Sequence, residues 1–232
     1  MTLSSIAFIP DGNRRFAAQA NMNIAEAYKL GTQRSWDVMQ WLGEYPSIKV
    51  ASFYTLSLEN ITRSSTEMSI LFSIFEEEAD KILKDEVYKS SEFAIKFLGR
   101  LEKFPLHLRQ KMNLIQEKSQ DYAKRVINVA IGYNGRTEIV DAAKKLAQDV
   151  ADKKINVNSI DENSFKNYLY SNFSDPDMIV RTGKTQRLSG FLTYQSVYSE
   201  LYFTNKLWPE FSREDLNVAV KEFDARERRF GK

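Results

Sequence analysis

Apolar positions along the chain change period as they go. Short unbroken or alternating runs predict strands over Ser5–Ile9, 49–56, Phe93–Leu98 and 125–131, a brief one over 178–180 and another over 201–203. Between them the spacing turns helical, over 24–42, 105–124 and 138–151, with a shorter helix over 161–170 and a charged one over 213–229. Met68, Leu71, Phe72, Phe75, Ala79, Ile82 and Leu83 form the clearest helical stripe, with Glu76, Glu77 and Asp80 on its polar face. Strands alternating with helices at this spacing predict an α/β fold, a mostly parallel central sheet flanked by helices. No Pro/Gly/Ser-rich linker, repeat or low-complexity stretch interrupts the pattern, so residues 1–232 read as a single domain.

In such sheets ligands bind at the carboxyl ends of the strands, which directs attention to the loops there. After the first strand come Asp11, Gly12, Asn13, Arg14, Arg15 and Phe16. Gly12 permits close backbone approach, and paired arginines fork onto phosphate oxygens. A carboxylate repels phosphate, so Asp11 needs a shared hard cation to belong there. After the second strand, Ser57, Glu59, Asn60 and Arg63 precede a helix that Ser64 or Ser65 can cap, with Glu67 completing a capping box from Ser64. After the fourth come Gly132, Asn134, Gly135 and Arg136; after Val180 come Arg181, Lys184, Arg187 and Ser189. Each loop alone also reads as a capped turn or a solvated basic surface. Four at successive strand ends together suggest a site for two diphosphates. Most of the apolar stripe is expected to be core. A helix parting from the sheet would instead leave a tunnel, with Thr55, Leu56, Val129 and Ile131 available as its floor, and periodicity does not separate the two.

Composition narrows the chemistry. There is no cysteine, which removes disulfides, thiol nucleophiles and thiolate metal sites. The single histidine, His107, follows Pro105 early in a predicted helix and reads as structural or surface. Any metal is therefore a hard cation on carboxylates and substrate oxygens, Mg²⁺ first. Net charge is +2, with 33 Lys+Arg mixed among 31 Asp+Glu, which argues against nucleic acid as a partner. No apolar run approaches the roughly 20 residues of a membrane span, and no signal peptide is evident, so a cytoplasmic protein is expected, with peripheral membrane docking left open.

The quoted loops together resemble the cis-prenyltransferase family. IPDGNRRFA is similar to its opening motif, YTLSLENITRS to its second, GYNGRTEIVDA to its third, DMIVRTGKTQRLSGFLTYQSVYSELYFTNKLWPEF to its long C-terminal signature, and RRFG to its ending. Pro10, Ile24, Tyr28, Ile61 and Thr185 depart from the usual residues. The resemblance implies a Mg²⁺-dependent enzyme, working as a homodimer, that condenses isopentenyl diphosphate onto an allylic diphosphate (farnesyl or geranylgeranyl) with cis double bonds. By the same resemblance Asp11 positions Mg²⁺, and Gly12, Asn13, Arg14, Arg15 and Phe16 belong to the allylic diphosphate site. Ser57 and Asn60 act near the reacting centre, and Arg63 contacts diphosphate. Arg181, Arg187 and Ser189 bind isopentenyl diphosphate, Glu200 associates with Mg²⁺, and Arg229 and Gly231 reach the partner's active site. A non-catalytic partner subunit and an unrelated phosphate-binding module are the alternatives.

Overall fold

The first strand, β1 (Ser5–Ile9), is buried along its whole length. A strand covered on both faces reads as a continuous apolar run and belongs in the middle of a parallel sheet. The computed structural model describes residues 2–62, 64–122 and 124–226 and shows this arrangement. Helices α1 (Asn13–Gln19) and α2 (Ile24–Trp41) follow β1, then β2 (Val50–Ser57), α3 (Ser65–Asp85), α4 (Val87–Ser91), β3 (Phe93–Leu98) and α5 (Leu106–Ser119). The chain continues through β4 (Arg125–Tyr133), α6 (Gly135–Ala151), α7 (Glu162–Lys166), β5 (Met178–Arg181), β6 (Glu200–Phe203) and α8 (Arg213–Ala225).

The six strands lie in the order β3-β4-β2-β1-β5-β6. Every pairing is parallel. β1 connects onward to β2 on one side, whereas its other neighbour, β5, connects onward to β6. The loops leaving β1 and β5 therefore part at a switch point, the crevice where such sheets bind ligands.

The larger apolar core joins Ile6, Phe8, Phe53, Ile95 and Ile127 of the sheet to residues of α2, α3, α5 and α8. A smaller one joins Ala7, Ala130 and Ile179, whose alternation turns them to the other face, to Phe191 and Leu192.

Several boundaries differ from the sequence pattern. β4 runs on through Gly132 to Tyr133, and α6 starts at Gly135, so the expected loop shrinks to one residue. That residue, Asn134, caps the helix by accepting from the N–H groups of Arg136 and Thr137. α5 ends at Ser119 and gives way to a 3₁₀ turn over Gln120–Tyr122, with Pro105 as its N-cap. The segment predicted over 161–170 is helical only over Glu162–Lys166. α8 stops at Ala225, because Arg226 is extended and its guanidinium donates to Glu200 and to the Leu201 carbonyl. His107 sits at the surface, paired with Glu76. No helix among the described residues is long and apolar enough to cross a membrane.

Candidate active site

Asp11 lies two residues beyond the end of β1, and Arg181 closes β5 beside it. The Arg181 guanidinium donates to Asp11 Oδ2 at 2.9 Å, to Ser189 Oγ at 2.8 Å and to the Arg187 carbonyl. From the other side Arg15 donates to Asp11 Oδ1 at 3.0 Å and to the Gly183 carbonyl. The carboxylate is thus held between two cations, one on each oxygen. Its backbone is pinned as firmly. The Asp11 N–H donates to Thr182 Oγ1 at 3.0 Å, the Thr182 hydroxyl donates to the Asp11 carbonyl at 2.7 Å, and the Trp208 N–H reaches that carbonyl at 3.0 Å.

Two glycines make the contact between loops feasible. Gly183 has φ +86°, and a Cβ there would stand 2.5 Å from the Arg15 guanidinium and 2.9 Å from the Asp11 carbonyl oxygen. Gly31, inside α2, lies against the Asn13 carboxamide, where a Cβ would come within 2.2 Å of Oδ1. Ser189 has φ +51°, an uncommon conformation for a residue with a side chain and the kind that accumulates at working sites. Its carbonyl, with that of Tyr133, accepts from the Tyr54 hydroxyl. Burial pushes the Tyr54 pKa up, so this hydroxyl stays protonated and donating.

These groups form the polar rim of a cavity of about 910 Å³, near the upper end of ordinary ligand pockets (about 300–1,000 Å³). Asp11, Gly12, Asn13, Arg14, Arg15, Ser57, Asn60, Arg181 and Ser189 all line it. Asn60 N–H donates to Ser57 Oγ at 3.2 Å, which joins these two residues at the end of β2. Below the rim the wall is apolar, built from α2, α3, α5 and the sheet. Leu71, Phe75, Ala79 and Ile82 of the α3 stripe face it, together with Ile74, so that stripe divides between core and cavity wall.

Thr55, Leu56, Val129 and Ile131 all line the cavity; Thr55, Leu56 and Ile131 lie toward the carboxyl ends of their strands and Val129 is midway along β4, while Ile95 and Ile127, paired with each other lower in the sheet, line it further from those ends. Phe16 and Arg187 do not line the cavity. Glu200 is level with Met178, three residues below Arg181, and is paired with Arg226 at 2.8 Å. At about 3.3 Å per residue that separation keeps it from Asp11 within one chain. Arg63, Arg229 and Gly231 lie outside the described residues. The sequence reading missed Thr182, Gly31, Trp36 and Trp208. A hydroxyl directly after Arg181 was the one local signal. Trp208, which donates to the Gly31 carbonyl at 2.8 Å, is 177 residues away from it in sequence.

The family described as putative undecaprenyl diphosphate synthase matches residues 9–231, from one edge of this site to the far end of the chain. The chain belongs to the cis-prenyltransferase family. It is 40% identical over 228 residues to the tritrans,polycis-undecaprenyl-diphosphate synthase (geranylgeranyl-diphosphate specific) of Thermoplasma volcanium, covering 98% of this chain and 88% of that one. The enzyme of the same name from Methanopyrus kandleri is 37% identical, with 98% and 84% covered. In three dimensions this cis-prenyltransferase is similar to the lavandulyl diphosphate synthase of Lavandula x intermedia in complex with dimethylallyl diphosphate. Their TM-score is 0.94 at 29% identity, covering 100% of this chain and 99% of that one. A probable undecaprenyl diphosphate synthase from Campylobacter jejuni gives 0.82 at 29% identity, with both chains fully covered.

Proposed function

We propose that this chain is a single-domain polyprenyl diphosphate synthase that adds isopentenyl diphosphate repeatedly to an allylic diphosphate, forming cis double bonds. The observation that carries the reading is that one cavity joins an arginine-rich rim to a deep, mainly apolar wall. A substrate that is diphosphate at one end and hydrocarbon along the rest matches that division. Geranylgeranyl diphosphate is the proposed primer, because it is the substrate named for the archaeal relatives.

Asn13, Arg14 and Arg15, with the Gly12 backbone, take the leaving diphosphate and stabilise the negative charge it gains as the allylic C–O bond breaks. Arg181 and Ser189 hold isopentenyl diphosphate alongside. Buried Arg181 Nε and Asn13 Oδ1 have no partner among the described residues, so hydrogen-bonding capacity remains here. Ser57 and Asn60 orient the reacting carbons, where the double bond of one substrate attacks the allylic carbon of the other and a proton is lost. Placing two polyanions in register is itself a large part of the catalysis.

Mg²⁺ fits this donor set. Each Asp11 oxygen makes one ion pair and keeps acceptor capacity, and no group of three metal-binding side chains exists among the described residues. Mg²⁺ commonly takes one or two carboxylates together with substrate phosphates. Asp11 would hold it, and the ion would supply charge neutralisation between carboxylate and diphosphate. Glu200 takes part only if a second copy brings it. A homodimer is supported by exposed Val197, Tyr198 and Leu201 on and beside the edge strand β6.

Incubating the purified protein with Mg²⁺, isopentenyl diphosphate and geranylgeranyl diphosphate should give a ladder of longer polyprenyl diphosphates. Omitting the metal should remove it. Absence of extension by the homomer, with farnesyl diphosphate as well, sinks the reading.

A further inference from the structure

The cavity wall away from the rim is mainly apolar, although Tyr28, Thr32 and Ser35 of α2 also line it, and one lining residue is a carboxylate. Trp36 of α2 and Glu78 of α3 both line the cavity, and the indole Nε1–H donates to Glu78 Oε2 at 2.6 Å. This short bond to a carboxylate spans the two helices. Lys81, one turn further along α3, lies 5.8 Å from the centre of the Trp36 ring on the same seam.

The pair stands at the end of the cavity remote from Asp11. Phe93, Ile95 and Phe97 share one face of β3; Ile95 and Phe97 line the cavity but Phe93 does not. Phe93 instead packs against Trp36, with ring centroids 6.5 Å apart. Phe93 begins β3, so Trp36 packs against the amino end of that strand, whereas the rim follows the carboxyl ends of β1, β2 and β5. A hydrocarbon extended down this cavity meets mainly apolar side chains before it reaches a hydrogen-bonded carboxylate.

We propose that the Trp36–Glu78 hydrogen bond is a polar clasp that closes the cavity between α2 and α3 and sets the length at which chain growth stops. The inference rests on the polyprenyl synthase reading and names the residues that determine product length. A growing chain is held by apolar contact along α3, but passing the clasp requires a charge-assisted bond to open with no polar replacement from the hydrocarbon. Elongation then slows, and the diphosphate is released at that length.

The test is the product-length distribution, read as the proportions of each length so that a slower variant still reports. Glu78→Ala leaves the Trp36 ring in place and breaks the clasp; its main product should lengthen by at least one isoprene unit. Glu78→Gln keeps an acceptor of the same shape and should retain the wild-type distribution. Trp36→Phe removes the donor while leaving an aromatic ring, and should lengthen products as Glu78→Ala does. Circular dichroism confirms that each variant is folded, and Glu78, partly exposed, is the safer position. Unchanged or shorter products from Glu78→Ala and Trp36→Phe overturn the inference alone. A wild-type protein that extends no primer overturns the synthase reading and the inference with it.

Discussion

Arg181→Met separates the work of this side chain from its contribution to folding. Arg181 is 4% exposed and bonds Asp11, Ser189 and the Arg187 carbonyl at once. Removing one partner of a fully buried pair costs about 3–5 kcal/mol. Here the Asp11 side chain is 31% exposed and keeps Arg15, and the substitution also relieves a buried Nε that has no partner among the described residues. The net stability loss should therefore be no more than about 2 kcal/mol. Hydrogen bonds to a charged group contribute about 1.5–3 kcal/mol each, so losing the guanidinium fork on isopentenyl diphosphate costs about 3 kcal/mol or more. Urea denaturation should thus show a modest shift, while kcat/KM for isopentenyl diphosphate falls about a hundredfold. Arg181→Lys keeps the charge but not the fork and should recover only part of the loss. Wild-type kcat/KM in Arg181→Met, in a folded protein, would refute the assignment.

Three further substitutions probe other parts of the arrangement. Asp11→Asn should leave the fold intact and reduce turnover at least about a hundredfold, since the amide loses the charge a hard cation needs; steady-state kinetics over a Mg²⁺ titration check it. Gly31→Ala should displace Asn13, costing about 1–3 kcal/mol from overpacking and raising KM for the allylic substrate, as followed by thermal melts and kinetics. Glu138 is fully buried and accepts from Tyr133, Gln195 and the Tyr170 N–H, and burial raises its pKa. A raised folded-state pKa means stability is greatest below the ordinary carboxylate range and is lost as pH rises through the raised value. Glu138→Gln removes that dependence, so wild type should lose stability relative to the variant as pH rises through this window, measured by denaturation at a series of pH values.

Much of this was legible in the sequence because the chemistry sits in contiguous loops. Asp11 through Arg15, Ser57 with Asn60, and Arg181 with Ser189 each announce themselves next to a strand. The sheet was legible for the same reason, since fully buried parallel strands leave unbroken apolar runs. What was not legible depends on where distant segments meet. Nothing near Gly31 says that it yields space to Asn13 or receives Trp208. The α3 stripe has the same periodicity whether it packs on the sheet or stands off it. Trp36 and Glu78 are 42 residues apart, and only the fold makes them neighbours. The strand-to-helix junction at Asn134 reads as a longer loop because its glycines suggest a turn, whereas Gly132, with φ +59°, sits inside β4 at an irregularity of its pairing with β2.

The most direct test of the proposed division between rim and tunnel is a crystal structure with Mg²⁺ and a non-hydrolysable analogue of geranylgeranyl diphosphate. The diphosphate should lie against Asn13, Arg14 and Arg15 with the metal on Asp11, and the hydrocarbon should run between α2, α3, α5 and the sheet toward Trp36. A diphosphate bound away from Asp11, or a hydrocarbon lying outside that cavity, would contradict it.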